Sequence, residues 1–152
     1  MYTIEEFDKA KTKILKYILY KKRCESEVRN KFSNLMEENL LDDIIEYLKE
    51  AKYIDDLEYI EKIVNNFIML KNLSIKEIRF KLISKGLNKN DIENYIYKNK
   101  EKLEEYEVKS AENIICKKNI SMEIDEIKQY LLKKGYKVEN IEIAIDNNKT
   151  IY

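Results

Sequence analysis

The stretch Glu77-Ile78-Arg79-Phe80-Lys81-Leu82-Ile83-Ser84-Lys85-Gly86-Leu87 decides the fold, because its frame occurs three times. An acid, a branched apolar residue, an arginine, a lysine and a large apolar residue recur at the same spacing in Glu27-Val28-Arg29-Asn30-Lys31-Phe32. A third, less complete copy runs Glu126-Ile127-Lys128-Gln129-Tyr130-Leu131, with Lys128 in the arginine position. The second and third copies also end alike, in Lys85-Gly86-Leu87 and Lys134-Gly135-Tyr136. A glycine at that point supplies the left-handed backbone that stops a helix. Self-similarity of this kind marks a repeat architecture.

Each frame reads as the middle helix of a unit. Longer amphipathic segments precede it, roughly Glu5 to Tyr20, Leu57 to Leu70 and Glu104 to Lys117. Others follow it, Leu41 to Ala51, Asn90 to Asn99 and Val138 to Asn147. Ile14, Tyr17 and Ile18, and then Ile60, Ile63, Val64 and Phe67, fall at helical spacing. Ser74-Ile75-Lys76-Glu77 has the form of a capping box, and Ser121 is placed to cap the third middle helix. A unit this small cannot bury enough apolar surface alone, so neighbours are expected to stack. The expected architecture is all-α: three tandem three-helix repeat units, 1–54, 55–102 and 103–152, in an elongated, curved array. A continuous coiled coil or a single globular bundle is the rival. The stops at Gly86 and Gly135 argue against the coil.

Composition agrees. No proline and only two glycines leave little hairpin chemistry, while 38% charged and 44% hydrophobic residues suit neither disorder nor a membrane protein. No secretory signal is visible, apolar runs such as Phe67-Ile68-Met69-Leu70 are far short of a span, and Cys24 and Cys116 stand alone. A reduced, cytoplasmic setting is expected.

Net charge is zero, from 29 basic and 29 acidic residues, yet the charges are segregated. Eight basic residues lie between Lys11 and Lys31 against Glu25 and Glu27, and ten acids between Phe32 and Glu61 against Lys49 and Lys52. Nine basic residues then follow from Lys62 to Lys100 against three acids, with a weaker acidic stretch around Glu101 to Glu112. Middle helices are basic and the joining segments acidic. Stacking would bring Arg29, Lys31, Arg79, Lys81, Lys85, Lys128 and Lys134 into a comparable register, a positive stripe for phosphate or an acidic protein surface. The competing reading is solvated helix faces with salt bridges between units. In unit two the best same-face pair is Lys81 and Lys85, four residues apart.

Catalytic chemistry is missing. There is no histidine, no glycine-rich phosphate loop and no cysteine pair, so no enzyme activity, cofactor or metal is expected. The doublets Asp42-Asp43 and Asp55-Asp56 lie where helix starts are expected, and capping is their simplest role. Tyr20 and Tyr106 fit the apolar pattern less clearly than the other tyrosines and are candidates for base stacking.

These residues resemble the RecX family of bacterial recombinase regulators. Tyr53-Ile54-Asp55-Asp56, with Tyr59, is similar to the family's Gly-Tyr-Leu-Asp-Asp signature, Lys52 standing in place of the glycine. Ile78 to Leu87 matches the second-unit motif, and Tyr17-Ile18-Leu19 through Arg23, Glu27-Val28 and Lys31-Phe32 the first, with Cys24 in place of a usual serine. The resemblance covers nearly the whole chain and is weaker in the third unit. It implies a regulator that lies along the groove of the RecA–DNA filament and restrains RecA, suppressing ATP hydrolysis and strand exchange. The partners implied are the RecA filament and, with it, single-stranded or duplex DNA, for a chain acting as a monomer. The alternative is a helical nucleic-acid-binding module that acts without RecA, or a purely structural adaptor. Zero net charge and the lack of an arginine-rich recognition helix weigh against strong binding to free DNA.

Overall fold

The computed structural model describes residues 1–151, and side chains through Lys149; Tyr152, the last residue of the expected third unit, lies outside the described residues. Among the described residues there are nine α-helices and no strand. They are α1 (Ile4–Tyr20), α2 (Glu25–Phe32), α3 (Glu38–Glu50), α4 (Asp56–Leu70), α5 (Ile75–Ser84), α6 (Lys89–Lys98), α7 (Lys100–Lys118), α8 (Ile124–Lys133) and α9 (Val138–Ile151). A long helix followed by two shorter ones recurs three times. The all-α expectation holds.

The chain forms two compact bodies. The first comprises Met1–Ile60 with Lys85–Leu87, and the second Glu61–Ser84 with the described residues from Asn88 onward. In the first, Ile14, Ile44 and Leu48 are fully buried with Val28 and Phe32, as the periodicity of α1 requires. In the second, Ala111, Ile115, Ile127, Leu131 and Ala144 close one core, and Ile78, Leu82, Ile92 and Leu103 are also fully buried.

Local signals explain the helix ends. Glu77 accepts a hydrogen bond from the Ser74 amide at 3.0 Å while the Ser74 hydroxyl accepts from the Glu77 amide at 3.0 Å, the expected capping box. In α2 the Glu27 carboxylate likewise accepts from the Cys24 amide at 3.2 Å. Ser121 does not cap α8: the helix starts later, behind Glu123, and Ser121 sits in the preceding turn. Nor does α3 begin at Leu41, since Glu38 already lies in its first turn, where a carboxylate suits the exposed N–H groups. α7 also starts early, at Lys100, one residue after α6 gives way at Asn99. Gly86 and Gly135 have φ of 82° and 94°. Lys52, where the family signature has glycine, has φ of 67°, a conformation that costs an L-residue about 1–2 kcal/mol. It is held there by the α3 stop, where the Tyr53 amide donates to the Leu48 carbonyl at 2.9 Å.

Candidate partner-binding surface

The seven candidate cations fall into two kinds. Arg29 donates to Glu25 at 2.9 Å and to Asp42 at 2.6 Å, tying α2 to α3. Arg79 grips Glu93 through Nε at 2.6 Å and Nη2 at 3.4 Å, tying α5 to α6. The repeated arginine thus clamps the first two middle helices to the helices after them. Burial works to push the Glu25 carboxyl up, but hydrogen bonds from Arg29 and Lys49 outweigh it and leave the group below the usual range. Both arginines are paired with carboxylates of this chain, in ion pairs that stay partly exposed.

The lysines are placed differently. Lys31 lies 5.9 Å from the ring centre of Tyr17, and Lys81 6.0 Å from that of Phe67. The rings hold equivalent places near the ends of α1 and α4, and the lysines equivalent places on α2 and α5. In the third copy the pair is exchanged: Lys118 of α7 lies 4.2 Å from the ring of Tyr130 on α8, and Lys134 approaches the same ring at 5.6 Å. A cation over a ring keeps an apolar stem packed and its charge facing water. Sequence reading missed Lys118, because it holds no equivalent place in the repeat: Cys116 stands where Tyr17 and Phe67 stand in the other copies. Lys85 lies in the turn after α5, so the helical four-residue relation to Lys81 does not extend to it. Lys128 is half-buried on α8.

The other candidates resolve into structure. Asp55 caps α4, accepting from the Glu58 amide at 3.2 Å, whereas Asp56 turns to the start of α2 and accepts from the Glu25 amide at 2.9 Å. Asp42 and Asp43 lie within α3, not at its start; Asp42 meets Arg29, and Asp43 accepts from the Tyr2 hydroxyl. Among the described residues no group of three or more metal-ligating side chains exists. Tyr106 is no stacking platform: its buried hydroxyl accepts from the Leu73 amide at 2.9 Å and donates to the Lys71 carbonyl at 2.6 Å. Tyr20 is 87% exposed.

The middle-helix caps and glycines meet in a repeated arrangement. In the first body the Cys24 thiol donates to the Lys85 carbonyl at 3.6 Å, beside Gly86. In the second the Ser74 hydroxyl donates to the Lys134 carbonyl at 2.7 Å, beside Gly135. Cys24 is fully buried there, and burial pushes its thiol up to about 11. Cys116 is exposed. With a thiol-specific disulfide reagent near pH 8, the native protein should therefore release about one equivalent, from Cys116, and a second only on unfolding. Two thiols reacting at the same rate in the native state would contradict the buried cap.

No protein-family model matches the chain. A curated relative from Staphylococcus carnosus, named regulatory protein RecX, is 33% identical over 137 residues, 88% of this chain and 51% of that protein. The protein of the same name from Staphylococcus epidermidis is 30% identical over 154 residues, 96% of this chain and 57% of its own length. That from Clostridioides difficile is 27% identical over 155 residues, 93% of this chain and 69% of its own. The chain spans little more than half the length of the two staphylococcal relatives. Among solved structures, the crystal structure of RecX from Lactobacillus salivarius matches with a TM-score of 0.80 at 24% identity, over 95% of this chain and 97% of that one, a likeness of fold. No helix among the described residues is long and apolar enough to cross a membrane.

Proposed function

We propose that this chain is a RecX-type regulatory protein that binds the RecA–DNA filament and suppresses RecA's ATP hydrolysis and strand exchange. The observation that carries the reading is the kinship to proteins named regulatory protein RecX over most of the chain. It acts by limiting filament extension or promoting disassembly, as a cytoplasmic regulator of recombination and repair with no catalytic step of its own. Three tandem repeats, 1–54, 55–102 and 103–152, give such a regulator repeated contact points for a repeated partner. Of the seven candidate cations we assign contact to Lys31, Lys81, Lys85, Lys128 and Lys134, whose charge is not spent in an ion pair among the described residues. Arg29 and Arg79 serve the fold.

Zero net charge separates this reading from a module that acts on DNA alone. A protein that neutralises phosphates needs an excess of cations, and its affinity then falls steeply with salt. The expected result is tighter binding to RecA–DNA filaments than to bare single-stranded or duplex DNA at one salt concentration, measured by fluorescence anisotropy. Equal affinity for all three would favour the nucleic-acid module.

A further inference from the structure

We infer that an open groove on the second body seats a segment of the RecA protein itself, one large apolar side chain flanked by a carboxylate. The inference rests on the filament reading above and concerns the protein component of the filament. The groove measures about 490 Å³ and lies among α5, the end of α6, the start of α7 and the turn at Gly135. That volume is within the usual range of ligand-holding pockets.

Its floor is apolar. Ile75 and Leu103 are buried beneath it and Ile96 is half-buried. Tyr97 lines it too, yet is 80% exposed. An aromatic ring left in water beside an apolar floor gains most when a partner covers it, and such residues dominate binding energy at interfaces.

The charges around the groove choose the partner. Arg79 is paired with Glu93, and Lys137 with Glu104. Lys76 and Lys100 line the same groove, are exposed, and have no ion pair among the described residues. Set against Glu107, whose buried carboxylate also lines the groove, they leave a net excess of one positive charge that a partner's carboxylate would meet. A nucleic-acid strand fits less well. Its phosphates would run past Glu93 and Glu104, whereas an apolar floor offers them nothing.

The test compares Tyr97→Ala and the double variant Lys76→Glu, Lys100→Glu with the wild type and with a charge-matched control. The control is Lys62→Glu, Lys89→Glu, two exposed lysines that do not line the groove. Affinity is measured for RecA filaments on single-stranded DNA and for the bare strand at the same salt, and folding is checked by thermal melting. Each groove variant should bind the filament about ten-fold or more weakly, as expected when an interface hot spot is lost. The control should stay within about two-fold of the wild type, as a rim charge does. Affinity for the bare strand should not differ between the groove variants and the control. If the wild type binds the filament and both groove variants match it, the groove is not the seat. If affinity for bare DNA falls in parallel, the groove takes phosphate and the inference fails. Should the charge variant not fold, Tyr97→Ala decides alone, since a side chain this exposed is not needed for folding. A wild type that fails to bind the filament sinks the filament reading itself.

Discussion

Replacing Glu107 with alanine should lower stability by about 3–5 kcal/mol, the scale expected when several donors to a buried carboxylate lose their acceptor. Glu107 is fully buried on α7, although it lies in a stretch of sequence that is acidic and hydrophilic. One carboxylate oxygen accepts from the Ile75 amide at 2.7 Å, the first residue of α5. The other accepts from the Lys137 amide at 2.8 Å, just before α9, and from the Asn140 side chain at 3.1 Å. Two helix N-termini therefore converge on one carboxylate, which satisfies N–H groups with no intrahelical partner and sits at the positive end of each helix. Alanine leaves those donors buried and unmet, each costing about 1–3 kcal/mol. For a chain of this size the loss corresponds to a melting temperature lower by about 6–20 °C, read by circular dichroism. Glu107→Gln, which keeps one acceptor, should fall between the two. A Glu107→Ala protein melting within about 2 °C of the wild type would mean that water or a shifted backbone replaces the carboxylate.

Gly135→Ala is expected to cost about 2–4 kcal/mol, combining left-handed strain with overpacking. Its φ of 94° disfavours any side chain, and an added Cβ would stand 2.8 Å from the Lys76 Cβ. That neighbour is fixed to the α5 backbone and cannot swing away. Gly86→Ala should behave alike, for φ is 82° and the Ser26 Cβ would be 2.6 Å away. Each variant should melt about 4–16 °C lower. If Gly135→Ala loses no more than an exposed helix glycine would gain from the same change, the close approach of the glycine turn to α5 is not a constraint.

Both glycines were legible in the sequence, but for half of their role. The helix stop follows from glycine chemistry at the end of a repeated frame; the close approach follows only from where Ser26 and Lys76 lie in space. The capping box at Ser74 was legible because it is local, four residues long. Its second bond, to the Lys134 carbonyl, spans sixty positions and leaves no local trace. The arginines misled for the same reason. Arg29 and Arg79 are cations in basic stretches, and only their reach to Asp42 and Glu93 shows them neutralised. Asp42-Asp43 looked like a helix start because the segment was expected to begin at Leu41, while polar residues of the first turn carry no periodicity. Glu107 was hidden most completely, since a buried carboxylate and a solvated one are spelled alike. Asp56, which serves the α2 start as Glu107 serves α5, was read as a cap for its own helix. The groove beside Tyr97 is assembled from separate helices and has no signature in any one of them.

The most direct test of the central claim is the rate of ATP hydrolysis by RecA on single-stranded DNA, followed as this protein is added in increasing amounts. The account predicts a saturable fall in the rate at protein concentrations below those that coat the bare strand. A rate unchanged up to concentrations at which the protein covers free DNA would contradict it.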